Sequence, residues 1–181
     1  MNALGMIEVL SIPIGIEASD AALKTAAVNL VSAQTVCAGK FICVVEGDVA
    51  AVKESVEAGA KAAGSVLIDS IVIPSVHPNV IAAMNACSTI GRVDALGILE
   101  TYSLAAAVIA ADACAKAADI NLIEVRLGRG MGGKSFVLLT GGVAAVNAAV
   151  KAAESLEEVG GMMSKSVVIP SPHPDLVKQL V

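Results

Sequence analysis

The side chains of this chain that can ligate a metal or act as a nucleophile are few, and one of them stands in an unusual place. In TVCAGKF, Thr35 to Phe41, the thiol of Cys37 lies between two β-branched residues and a small-residue turn, at what reads as the tip of a hairpin. A thiolate is both a nucleophile and a soft metal ligand. Half a chain later RGMGGKSF repeats the turn and its lysine, with Met131 where Cys37 stands. The other cysteines read differently: Cys43 falls in an apolar strand and Cys114 in an Ala-rich helix, where cysteine serves as a small hydrophobe. No CxxC pair occurs among Cys37, Cys43, Cys87 and Cys114. His77 and His173 have no companions that would make a catalytic triad, and the glycine turns lack the lysine-hydroxyl ending of a phosphate loop. The chain is therefore not expected to be an enzyme.

Composition narrows the class. Of 181 residues, 56% are hydrophobic and 16% charged, and much of the apolar content is Ala and Val, which suits close packing, including packing against other subunits. A net charge of -5 argues against nucleic-acid binding, which needs a basic face. The apolar run from Leu104 stops at Asp112, well short of the roughly 18 residues of a membrane span. The N-terminal MNALGMIEVLS has no basic region and meets Glu8 early, unlike a secretory signal, so the cytoplasm is the expected compartment and disulfides are not expected there.

The elements that must position Cys37 come in two copies. ALGMIEVLS at Ala3 is answered by ALGILETYS at Ala95, and ASDAALKTAAVNL at Ala18 by AADACAKAADINL at Ala110, both 92 residues on. The offset is 94 at the two turn lysines, Lys40 and Lys134, and 96 between VIPSVHP and VIPSPHP, so short insertions alone separate the copies. Each copy reads as a strand, an Ala-rich helix, two strands joined by the glycine turn, a second helix and a strand closed by proline. The expected fold class is α+β: two tandem ferredoxin-like domains of order β-α-β-β-α-β, each an antiparallel sheet with helices on one face. The connector STIGRVD places the expected boundary between residues 1–91 and 92–181.

GMIEVLS, AADACAKAADINL, GDVAAVKESVEAG and VIPSVHP together resemble the bacterial microcompartment (BMC) shell domain, over nearly the whole chain and in both copies. The resemblance implies a tandem shell protein whose homotrimer has a pseudo-hexameric outline and tiles the shell beside other shell proteins. It implies that Lys24 and Lys116 are tile-edge residues donating hydrogen bonds to neighbouring tiles. Ser75 and Ser171 stand where the family often has arginine before its histidine, and His77 and His173 are read as structural. It also implies that Cys37, Ala38, Gly39 and Lys40, with Met131, Gly132 and Gly133, line the central pore.

Three copies would bring three Cys37 thiols to one axis, and three thiolates can hold three irons of a [4Fe-4S] cluster. A class of tandem shell proteins with TICPGK at this turn, where this chain has TVCAGK, is understood to carry such a cluster on the pore cysteine. Electron transfer across the shell, or delivery of a cluster to an encapsulated redox enzyme, is then the expected role, with Lys40 lending positive charge to the anionic cluster. Two alternatives stand beside it: a cluster-free tile whose Cys37 and Met131 line a small-metabolite pore, and a soluble ferredoxin-like regulator binding a ligand between subunits.

Overall fold

Alternation of β-branched strands with Ala-rich helices is realised twice in the computed structural model, which describes residues 2–180. The termini of the two expected domains, Met1 and Val181, lie outside the described residues. In the first copy β1 (Ala3–Val9), α1 (Ile12–Thr25), β2 (Asn29–Val36), β3 (Lys40–Gly47), α2 (Val49–Ala63) and β4 (Leu67–Ile73) follow the expected order. The second copy repeats it after the helix α3 (Pro78–Met84), with β5 (Ala95–Thr101), α4 (Leu104–Ala117), β6 (Ile120–Leu127), β7 (Ser135–Gly141), α5 (Val143–Glu154), the short α6 (Glu157–Gly160) and β8 (Met163–Ile169). A last helix, α7 (Pro174–Leu180), ends the described chain. No helix among the described residues is long and apolar enough to cross a membrane.

Each copy forms a four-stranded antiparallel sheet, ordered β2-β3-β1-β4 and β6-β7-β5-β8. Even the irregularities recur: β2 bulges between Leu30 and Ser32 against β3, and β6 between Leu122 and Glu124 against β7. In the first sheet Ala3, Ile7 and Val9 of β1 pack with Ala18 and Ala22 of α1 and Val52 and Val56 of α2. Strand and helix approach closely because the contact points are glycines. A Cβ on Gly5 would lie 2.5 Å from Val56 Cγ2, and one on Gly59 would collide with Ile7 Cδ1. This explains the Ala- and Gly-rich composition: small residues let helices lie close on a sheet and bury the larger β-branched side chains.

The chain divides into two compact units at the 76/77 junction, not at 91/92. The reason is α3, which the sequence boundary gives to the first domain. Its Val80 and Ala83 are buried, it packs against β6 and α4, and the backbone N–H of His77 donates to Asp112 Oδ1 of α4 at 2.8 Å.

Candidate functional site: the paired turns

Both glycine turns are hairpin tips, as expected. Val36 pairs with Lys40 across the first, leaving Cys37, Ala38 and Gly39 in the turn. Gly39 has φ +73°, and a Cβ there would meet nothing within 4 Å, so glycine is required by the backbone and not by crowding. Cys37 is half-buried, while Ala38 and Gly39 are exposed. The second turn is longer. Leu127 pairs with Ser135, the span between them holds Met131, Gly132 and Gly133, and Lys134 N donates to the Met131 carbonyl at 3.1 Å. Met131 and Gly133 are half-buried and Gly132 is exposed.

The turn lysines fold back onto the sheet. The ammonium of Lys40 bonds Glu8 of β1, with the two side chains only 17% and 3% exposed. Lys134 repeats the bond to Glu100 of β5 at 2.9 Å, where Ser164 of β8 also donates to the same carboxylate at 2.7 Å. The Lys134 ammonium lies 5.4 Å from the centre of the Tyr102 ring. The hydrogen bonds from Lys134 and Ser164 hold the Glu100 carboxyl below the usual range, and the bond to Glu100 raises the Lys134 ammonium. Glu8 thus balances the Lys40 charge within the chain. Sequence reasoning passed over Glu8 and Glu100, although a glutamate at the same place in each repeat was a visible signal.

The remaining thiols divide as their settings dictate. Cys43 and Cys114 are 3% and 0% exposed, and burial pushes the Cys114 thiol up to about 12 and raises Cys43 as well. Such thiols are poor ligands at neutral pH. Among the described residues of one chain, no three His, Cys, Asp or Glu side chains come together to hold a metal ion. A cluster on Cys37 would therefore need thiols from several copies, and a half-buried turn cysteine beside exposed small residues fits that use.

Lys24 and Lys116 lie in the last turns of α1 and α4, each bonded to an aspartate four residues earlier: Asp20 at 2.6 Å and Asp112 at 2.5 Å. The order, acid before base on one helix face, is the favourable one. Both histidines act within the backbone. His77 Nδ1 accepts from Asn79 N at 3.3 Å and His173 Nδ1 from Asp175 N at 3.2 Å, so each serves the start of its short helix.

Comparison with known proteins agrees with this double architecture. The BMC domain family matches residues 3–76 and 95–172. The bacterial microcompartment shell protein PduT of Citrobacter freundii is 42% identical over 99% of this chain and 98% of its own. The shell protein EutM of Escherichia coli K12 is 46% identical over 42% of this chain and 81% of its own. The crystal structure of a microcompartment protein from Desulfitobacterium hafniense superimposes with a TM-score of 0.93 at 48% identity, covering 98% of this chain and 99% of that one. With two BMC domains in tandem and relatives of this kind along its whole length, the chain belongs to the BMC-domain family of bacterial microcompartment shell proteins.

Proposed function

We propose that this structural shell protein works as a homotrimeric tile whose three Cys37 thiols hold a [4Fe-4S] cluster at the three-fold pore. The trimer rests on an asymmetry between equivalent helices. Leu104 and Val108 of α4 are 0% exposed, whereas Ile12 and Ile16, at the same positions of α1, are 36% and 56% exposed. An apolar face buried in one copy and open in the other is what a chain leaves for its neighbour in a head-to-tail ring. Three chains supply six domains and close a pseudo-hexameric disc that meets other shell proteins at its edges, where Lys24 and Lys116 stand.

The observation that carries the cluster is the placement of Cys37. Of the two equivalent turns, one alone presents a thiol, and it does so at a hairpin tip beside exposed Ala38 and Gly39, while Cys43 and Cys114 sit in the cores. Three thiolates on one axis match the soft donor set of an iron-sulfur cluster. When bound, the cluster would supply one-electron transfer across the shell, serving a redox enzyme inside. The chain's own part is to hold the thiols in register through the Lys40–Glu8 bond and to offer turn amides to an anion. Met131, from the equivalent turn, narrows the passage.

The test is an anaerobic preparation assayed for iron and acid-labile sulfide beside Cys37→Ser. About four of each per trimer, lost in the serine variant, is the expected result. Trimers that stay free of iron after reconstitution would instead leave the cluster-free tile, for which the internal neutralisation of Lys40 is the favouring observation. In that reading Cys37 and Met131 line a passage for small metabolites.

A further inference from the structure

The last helix of the described chain, α7, has no seat of its own. None of its residues is buried, and Leu176 and Leu180 are 44% and 39% exposed. An isolated seven-residue helix is unstable in water, so α7 needs a surface to pack on. The internal repeat specifies one. The equivalent helix, 96 residues earlier, is α3, which packs against α4 and β6, buries Val80 and Ala83, and fixes its start through the bond from His77 N to Asp112 Oδ1.

Each feature of that seat has a counterpart in the first unit, and each counterpart is open. Asp112 corresponds to Asp20: their side chains are 10% and 60% exposed, and each is paired with the lysine four residues on. Leu122 of β6 is 2% exposed, whereas its counterpart Leu30 of β2 is 48% exposed. Val125 and Leu127 are buried, while Ala33 and Thr35, in their places, are exposed. On the helix side, Leu176 stands for the buried Val80 and Leu180 for the half-buried Met84, while Gln179 replaces the buried Ala83, so the apolar contact of α7 runs through Leu176 and Leu180.

We infer that α7 of one copy docks on α1 and β2 of the next, with the backbone N–H of His173 donating to the Asp20 carboxylate. This rests on the trimer reading and names its contact. The occupant is a second copy because this chain already contains the same helix on the same surface, built from the same motif. One helix is held in cis and its repeat in trans, so every copy gives one α7 and receives one. Such a contact is heterologous and closes only as a ring. It also separates two roles at one place: Asp20 would serve contacts within the trimer, while Lys24 remains the residue facing neighbouring tiles.

The experiment is hydrogen–deuterium exchange read by mass spectrometry on full-length protein, with the mass of the assembly measured in parallel. In wild-type trimers the C-terminal segment from Pro172 onward should be protected, like the α3 segment. Asp20→Ala should speed exchange in the C-terminal segment about tenfold or more, the range for losing a hydrogen bond to a charged group, and leave α3 unchanged. Leu176→Asp should do the same from the helix side. Lys24→Ala, which breaks the same ion pair but keeps the acceptor, should leave protection intact. Trimers whose C-terminal segment exchanges freely, or whose protection ignores Asp20→Ala and Leu176→Asp, would overturn the α7 contact and leave the trimer standing. A wild-type protein that is monomeric would overturn both.

Discussion

Lys40 closes on Glu8, so the residue that ends the Cys37 turn is tied to the middle of the sheet by a nearly buried ion pair. Lys134 and Glu100 repeat the pair in the second unit, but in a setting where both side chains keep more than a third of their exposure. A buried pair and its exposed twin in one chain make a controlled comparison. Removing one partner of a buried pair strands the other charge, at a cost of about 3 kcal/mol. Lys40→Met should therefore lower the Tm markedly, whereas Lys134→Met should lower it far less, because water screens an exposed pair. The double variant Glu8→Gln/Lys40→Met should recover part of the loss. Differential scanning calorimetry of the four proteins checks the prediction, and equal losses from the two lysine variants would refute it.

The Glu100–Lys134 pair sets a pH dependence with a definite sign. Glu100 is lowered in the folded state, so its contribution is present above the unfolded value of about 4.3 and is lost as pH falls through the lower folded value. Lys134 is raised, so its contribution is complete below about 10.4 and is lost as pH rises through the higher folded value. Glu100→Gln should thus reduce Tm at pH 7, and the gap to wild type should close towards pH 3. Tm measured across that range checks it.

What could be read from the sequence was what repeats. Two copies of β-α-β-β-α-β, their glycine turns and the place of Cys37 were legible because apolar periodicity and a fixed offset reinforce each other over nearly 180 residues. The short helices α3 and α7 were not: seven residues from Pro78 or Pro174 give too few turns for a periodic signal, and the prolines that close the preceding strands, Pro74 and Pro170, stand only four residues before the ones that start the helices and read with them as one loop. The division at 76/77 was hidden for the same reason, since it depends on where α3 packs. The Glu8–Lys40 and Glu100–Lys134 bonds join residues 32 and 34 positions apart, a pairing that requires knowing which strands are neighbours.

The close approach of α2 to β1 should make Gly59 intolerant of any side chain. A methyl there would meet Ile7 Cδ1, the Ala18 carbonyl at 3.0 Å and Ala22 Cβ at 3.2 Å, on three sides at once. Overpacking of this kind costs about 1–3 kcal/mol. Gly59→Ala should therefore lower the denaturant midpoint, while Gly91→Ala, in the connector where a Cβ meets nothing within 4 Å, should not.

Thiol chemistry separates the turn from the core in one measurement. At pH 8 a thiol at about 12 is ionised in roughly one molecule in ten thousand, so Cys114 should resist alkylation in the native protein. Cys43 is buried with a raised thiol and should resist too, whereas Cys87 is exposed and should react. Cys37 is the residue whose behaviour depends on loading. In metal-free protein it is half-buried at a turn beside exposed neighbours, and iodoacetamide should reach it, giving two labels per chain. In anaerobic, iron-loaded protein its sulfur would be engaged, and one label per chain, on Cys87, should remain. Peptide mapping by mass spectrometry reads both states. Labelling of Cys37 to the same extent with and without iron would separate any bound iron from this thiol and return the turn to the role of a plain pore.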